Sequence, residues 1–238
     1  RLGIHSEEVR ACVDTLAGSE HSYLDGIATH FACADTDETD DGASMTREQI
    51  RRFQELLAEL GLGTMVRRHA SNSAGILRFG ELTLDLARPG LALYGNGFPG
   101  EGLRPVMSLH SQLTQIRQLR PGDRVSYGAL WTAQSDTRVG IVPVGYADGY
   151  PRNLTGRAEV IVRGRRCPVI GAVSMDMSVV DVSGIPKAEV GDEVVLLGSD
   201  GNESILASEL ADKAGISEYE VTCGVSKRVP RIAGGQGV

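Results

Sequence analysis

Through about the first hundred residues, short apolar runs alternate with stretches of helical spacing, the pattern of βα units on a parallel sheet. YLDGIATHFA (23–32) predicts a strand emptying into an acidic loop. Thr46 and Gln49 then stand at capping-box spacing, and Ile50, Phe53, Leu57 and Leu60 recur on one helical face until Gly61. An amphipathic crossover helix starting at Thr46 is therefore expected. GTMVRRHASNSAGIL (63–77) predicts a strand, a loop and a short helix, and LTLDLARPGLALYG (82–95) predicts a third strand ending at Arg88-Pro89-Gly90.

Beyond Gly95 the pattern changes. GNGFPGEGLRP (95–105) is rich in glycine and proline, and RVGIVPVGY, AEVIVRG, CPVIGAV, SVVDV and DEVVLLG follow as short apolar runs separated by turn residues. That pattern predicts an all-β domain, barrel or sandwich, with a single helix at ILASELADKAG (205–215). RPGDRV and EVGDEV read as two uses of one turn-into-strand device. The expected fold class is α/β plus all-β, with domains at 1–102 and 103–238.

At 238 residues and 41% hydrophobic side chains, the chain is long enough for one large core or two smaller ones. A net charge of -7 disfavours nucleic acid and anionic membranes as partners, since both demand a basic face. Four widely spaced cysteines without a CxxC pair indicate neither a zinc site nor a disulfide framework. With no long apolar run and no charged-then-apolar leader, a cytoplasmic location is expected. The opening RLGIHSEEVR lacks methionine and reads as the continuation of a longer polypeptide.

Some motifs fail on inspection. GNGFPG matches GxGxxG as a string but leads into an extended segment, whereas a dinucleotide loop must open a helix. DTDETDDG lacks EF-hand spacing and reads as a solvated loop. The five histidines show no metal-binding spacing, so no metal is expected. What remains is placement: Thr29-His30, Ser71-Asn72-Ser73, and Arg88 with Gly90 each follow a predicted strand. Ligands of parallel β/α folds gather at those carboxyl ends, and glycine, a serine hydroxyl and a helix start together predict a phosphate pocket. Each residue also has a plainer reading: His30 satisfied in a core, Arg88 paired with an acid, Ser73 capping the next helix.

Taken in order, THFACAD, HASNSAGIL, LARPGLALYG, VSYGALW, VGYADGYPR, GAVSMDMSVVDV and RVPR resemble the pyridoxal-phosphate-dependent alanine racemases along essentially the whole chain. The resemblance implies the C-terminal part of a TIM (β/α)8 barrel followed by a β domain, in a head-to-tail homodimer interconverting L- and D-alanine. D-alanine for peptidoglycan, or D-alanine catabolism, is the implied role. By the same resemblance Tyr127 is the tyrosine base that reaches the partner's site, and His30 and Arg88 form a hydrogen-bonded chain with it. Arg88 also faces the pyridine nitrogen. Ser73, Gly90, Leu91 and Tyr219, with Asn72 beside them, resemble the phosphate contacts. Arg1 resembles the arginine for the substrate carboxylate, Met175 the backbone donor nearby, and Tyr146 an access-corridor tyrosine.

The chemistry is consistent with these roles. A phenol ionises near pH 10 in water, so a tyrosine base needs cationic or hydrogen-bonded company. An always-charged arginine at the pyridine nitrogen suits proton exchange over transamination. The plainer readings are Tyr127 packed on a cluster with Trp131, and Met175 in the core. Two departures stand out: Ala172 occupies a place where the family commonly has arginine, and no lysine lies in a segment like the family's cofactor-binding one. Lys187, Lys213 and Lys227 are all the lysines, so this chain alone is expected not to racemise, and its residues before Gly95 are expected to be the less stable part. Rival readings are a broad-specificity or serine racemase, a related decarboxylase, and a non-catalytic cofactor-binding module.

Overall fold

The structure, a computed structural model, describes residues 2–36, 41–80, 84–98 and 100–233. Its internal contacts divide the chain into two units, residues 1–93 and 94–238.

In the first unit, helix α1 (Val9–Ala17) precedes strand β1 (Gly26–Ala28), helix α2 (Asp41–Leu60), strand β2 (Arg67–His69) and helix α3 (Ser73–Arg78). β1 and β2 pair in parallel, Ala28 opposite His69. Gly26 permits the pairing, since a Cβ there would sit 2.8 Å from the Arg67 carbonyl oxygen.

α2 buries Phe53 and Leu60 on the expected face, but it starts at Asp41, more than a turn ahead of Thr46. Aspartate in the first turn complements the helix dipole. Thr46 is therefore no cap: its hydroxyl donates to the Gly42 carbonyl at 3.0 Å, inside the helix. α1 has no counterpart in the sequence expectation.

The third predicted strand is not a regular strand over residues 84–90, and 81–83 lie outside the described residues. The Asp85 and Arg88 N–H groups donate to the Arg68 and Ser71 carbonyls, both at 2.9 Å, so the segment follows β2. The Asp85 carboxylate takes the Arg68 N–H at 2.7 Å, a bond that a backbone carbonyl would take in a regular ladder. Residues 37–40 of the acidic loop also lie outside the described residues.

The second unit contains β3 (Leu109–Gln112), β4 (Gln115–Leu119), β5 (Arg124–Val125), β6 (Trp131–Thr132), β7 (Thr137–Val142), β8 (Glu159–Val162), β9 (Arg165–Ile170), β10 (Ser178–Asp181), β11 (Glu193–Asp200) and β12 (Glu203–Ile205). Helices α4 (Ala207–Ala214) and α5 (Glu218–Gly224) follow. Strands run β11–β8–β9–β10–β7–β4, while β3 pairs with β11. Val194 pairs with both Ser111 of β3 and Val162 of β8, so these strands occupy opposite edges of β11. Because only Leu113 and Thr114 separate β3 from β4, the sheet closes on itself through one bent segment. Val160, Val162, Val180, Val194 and Leu196 are fully enclosed, and Leu210, Ala211 and Ala214 of α4 belong to the same core.

The repeated turn device is real at atomic level. Asp123 donates its N–H to the Arg120 carbonyl at 3.0 Å, and its carboxylate takes the Arg120 N–H at 2.8 Å. Asp192 does the same with Glu189, at 3.2 and 2.9 Å. Gly122 and Gly191, with φ of 91° and 96°, supply the left-handed step. Two helices, not one, close the unit. α5 is opened by a capping box in which Ser217 and Glu220 bond reciprocally, a Ser-x-x-Glu spacing legible in SEYE.

Candidate functional site

Strand ends in the first unit converge on Arg88. Its guanidinium donates to the Thr29 carbonyl at 2.8 Å and the Ala70 carbonyl at 3.0 Å, just beyond the ends of β1 and β2. It also meets Nδ1 of His69, and Nδ1 of His30 at 3.5 Å. Arginine has only donors, so the Nδ1 of His69 must accept, which keeps that imidazole neutral and sends its ring proton to Nε2. Nη2, with both hydrogens on the two carbonyls, leaves His30 only a longer contact. Partial burial first, then Arg88 and Arg67, lowers the pKa of His69, and burial lowers that of Arg88. His30 and Arg88 thus lie side by side, and among the described residues no acid pairs with Arg88, contrary to its plainer reading. His69 was missed. Its signal was its place: it ends β2 opposite Ala28, at the same sheet end as Thr29 and His30.

These groups line a cleft of about 1210 Å³ whose apolar walls include Val9, Val13, Leu16, Ile27, Phe53 and Leu56, and whose polar lining is chiefly Thr29, His30, Gln49, Arg52, His69 and Arg88. Gln49 holds the loop that carries His30. Its amide donates to Thr29 Oγ1 at 2.9 Å and the His30 carbonyl at 2.7 Å, and accepts from the Ala32 N–H at 3.2 Å. Gln49→Ala is expected to lower the stability of this unit by about 1–3 kcal/mol, read as the midpoint of chemical denaturation, because three groups lose one shared partner. Gln49→Glu, which cannot donate, should lose as much at neutral pH. An unchanged midpoint in both variants would refute the clamp.

A second cluster surrounds Ser73. Asn72 caps α3, its Oδ1 accepting from the Gly75 N–H at 2.9 Å, so Ser73 is released from the capping role. The buried Ser73 hydroxyl instead accepts the N–H groups of Gly90 at 2.8 Å and Ala92 at 3.2 Å. With both lone pairs engaged, the hydroxyl has only its proton left to offer, which suits an anion. Leu91 is buried between the two donors.

In the second unit, Tyr127 is 77% exposed in the turn between β5 and β6, whereas Trp131 packs with Val125, Val139 and Ile170. The packed-cluster reading of Tyr127 is therefore wrong. Met175, 52% exposed, is not core either. The Ser174 and Met175 carbonyls take the N–H groups of Tyr146 and Ala147, each at 3.0 Å. Gly145 makes this approach possible, since a Cβ would lie 2.1 Å from the Ser174 oxygen. Arg228, from RVPR, bridges Asp148 at 3.3 Å and Asp176 at 2.7 Å. Ser126 bonds the Ala172 carbonyl at 2.8 Å, so the segment 171–176 carries Tyr127's turn at one end and Tyr146's at the other. Ala172 is buried. Tyr219 stands in the first turn of α5, half exposed. Arg1 lies outside the described residues.

Among the described residues no group of histidine, cysteine and carboxylate side chains could hold a metal, and no helix is long and apolar enough to cross a membrane.

Residues 1–97 match the family described as alanine racemase, N-terminal domain, and residues 106–233 match alanine racemase, C-terminal domain. The alanine racemase of Sorangium cellulosum is 43% identical over 98% of this chain and 62% of its own length. That of Symbiobacterium thermophilum is 41% identical over 99% of this chain and 63% of its own. The crystal structure of the Bacillus anthracis alanine racemase with bound L-Ala-P has a TM-score of 0.86 at 34% identity, over 98% of this chain and 61% of that one. The Bartonella henselae alanine racemase, with covalently bound pyridoxal phosphate, gives 0.84 at 28% identity, over 98% and 63%. The chain thus spans a little over three fifths of the length of the curated relatives it matches.

Proposed function

The chain belongs to the alanine racemase family, and from that premise we propose that it furnishes most of the active site of a pyridoxal-phosphate-dependent enzyme that interconverts L- and D-alanine. One observation carries the reading: a single arginine, Arg88, holds two strand-end carbonyls and the His69 imidazole at one sheet end, with His30 alongside. That array fixes a permanent positive charge in a cleft and presents a neutral His69 beside it with His30 at hand, which is the equipment for moving one proton at a time.

The residues fit the cofactor. Ser73, with Gly90 and Leu91 beside it and Asn72 and Tyr219 as further contacts, would hold the phosphate, the proton-only hydroxyl of Ser73 being the chemical reason. Arg88 would face the pyridine nitrogen as a donor and keep it unprotonated. When bound, pyridoxal phosphate supplies an electron sink for the charge left when the Cα proton of alanine is removed. Tyr127 takes or returns that proton on one face, reaching into the partner subunit's site in a homodimer, and His30 relays between Arg88 and the phenol. Arg1 and the Met175 backbone position the substrate carboxylate, and Tyr146 lines the approach. D-alanine for peptidoglycan in the cytoplasm is the role this activity serves. Residues 1–102 are assigned to the cofactor-binding barrel and 103–238 to the β domain.

The opposite-face base and cofactor tether is a lysine in this chemistry. Lys187, Lys213 and Lys227 all belong to the second unit, and Lys213 is already paired with Glu209 at 2.7 Å and Glu159 at 3.4 Å. Residues 1–238 alone are therefore expected to form no D-alanine from L-alanine. A polypeptide of the relatives' length carrying them, loaded with pyridoxal phosphate, is expected to form it, as read by chiral chromatography. Inactivity of the longer form towards alanine sinks the assignment, and faster turnover of serine would move it to a broader racemase.

A further inference from the structure

Between β5 and β6 the backbone adopts a conformation that its sequence should avoid. Ser126 sits at φ 65°, ψ -178°, a region that side-chain-bearing residues pay to enter and glycine occupies freely. Gly128 at φ 73° fits its left-handed step, but Ala129 at φ 49° again lacks glycine's freedom. The Ala129 N–H closes the turn on the Ser126 carbonyl at 3.1 Å. Glycine would be the less strained residue at 126, so the serine side chain must be used.

Its use is visible. Ser126 Oγ donates to the Ala172 carbonyl at 2.8 Å. The approach is so close that a Cβ on Gly171 would lie 2.8 Å from Ser126 Cβ and 3.0 Å from the Val125 carbonyl oxygen. On either side of the turn the chain is fixed, by buried Val125 and by Trp131 packed on the same small cluster. From this turn Tyr127 projects, 77% exposed, with Leu130 exposed beside it. An exposed side chain has no packing of its own to aim it, so its direction is set by the backbone that carries it.

We propose that Ser126 is a positioning residue: its hydroxyl, anchored on the Ala172 carbonyl, locks the strained backbone that aims Tyr127. The inference rests on the proposed role of Tyr127 as the proton-transferring group. It also ties that turn to the segment leading to Met175, fixing the spacing between phenol and substrate carboxylate.

The test uses the full-length holoenzyme with Ser126→Gly, Ser126→Ala and Tyr127→Phe in parallel. Ser126→Gly relieves the strain and deletes the anchor, so its melting temperature should equal or exceed that of the parent. Its kcat should nevertheless fall about tenfold or more, with KM nearly unchanged, because misaiming a reacting group by a fraction of an ångström is costly. The pH dependence of kcat should shift with it. Ser126→Ala keeps the strain without the anchor and should lose both stability and kcat. Parent-like kcat and pH profile in Ser126→Gly, beside an inactive Tyr127→Phe, overturn the proposal alone. A kcat loss in Ser126→Gly that merely follows a lowered melting temperature assigns Ser126 a structural role and overturns it too. An active Tyr127→Phe removes the role of Tyr127 first, and the proposal with it.

Discussion

Replacing Tyr127 by phenylalanine in the complete enzyme is expected to lower kcat for alanine racemisation by about 10²- to 10⁴-fold, the range over which a positioned acid or base contributes. The substitution removes one atom, the phenolic oxygen, from a ring that is 77% exposed in its own subunit. Exposed substitutions of this kind move stability by no more than about 0.5 kcal/mol, so the melting temperature should hold while turnover collapses. The separation of the two readouts is the point of the experiment. Had Tyr127 packed against Trp131, its loss would instead appear as destabilisation. A Tyr127→Phe enzyme that racemises at the parental rate removes the central group from the proposed mechanism.

The second large effect is expected at Arg88. Arg88→Ala strips donors from the Thr29 and Ala70 carbonyls and from the His69 imidazole at once, and removes the neighbour of His30. Both stability and turnover should fall, turnover by at least about 10²-fold, since His69 loses its fixed orientation as well. Arg88→Lys is the informative companion. A lysine carries the charge but offers a compact ammonium on a flexible stem, which cannot span three acceptors held by a planar fork. It should restore some stability and little turnover. If Arg88→Lys works as well as the parent, the charge alone matters and the geometric argument fails.

His69 also contributes to the acid side of stability. His69 has its pKa lowered in the folded state, by burial first and by Arg88 next, against a value near 6.5 in the unfolded chain. Above about pH 6.5 the imidazole is neutral in both states and its contribution is complete. As the pH falls below that, the unfolded chain takes up a proton that the folded chain refuses, so unfolding becomes more favourable until the native value is passed. A melting temperature that drops between pH 7 and pH 5 in the parent, with a smaller drop in His69→Gln, is the expected signature. Equal drops would assign the effect to other groups.

The elements that the sequence states locally are those whose bonds reach only a few residues. RPGDRV and EVGDEV carry their whole device within a few positions, a glycine at positive φ and an aspartate bonding three residues back, and both form as read. Apolar runs marked β7 to β11 through their side-chain pattern, although their ladders pair residues as far apart as Val142 and Ser178, and Gly215, at φ 67°, ends α4 where the sequence places a stop. Local signals were also left unused: SEYE spells the capping box that opens α5. The start of α2 was misplaced because Thr46 and Gln49 have the right spacing for a cap, while the aspartate that favours an earlier start lies in a loop-like acidic run.

The residue types of His30, Arg88 and Ser73, the places of His30 and Ser73 just beyond β1 and β2, and the family to which the chain belongs, were legible in the sequence alone. What each of them touches was decided by the tertiary structure. Gln49 reaches Thr29 across 20 residues, Ser126 reaches Ala172 across 46, and Arg88 reaches His30 across 58. No periodicity or propensity encodes a bond of that span, because it exists only after strand register and chain crossing have brought the partners together. That is why Gln49 reads as a cap in the sequence and becomes a clamp in the fold, why His69 stays unnoticed until Arg88 lies beside it, and why the close packing of Gly171 on Ser126 appears only in the fold.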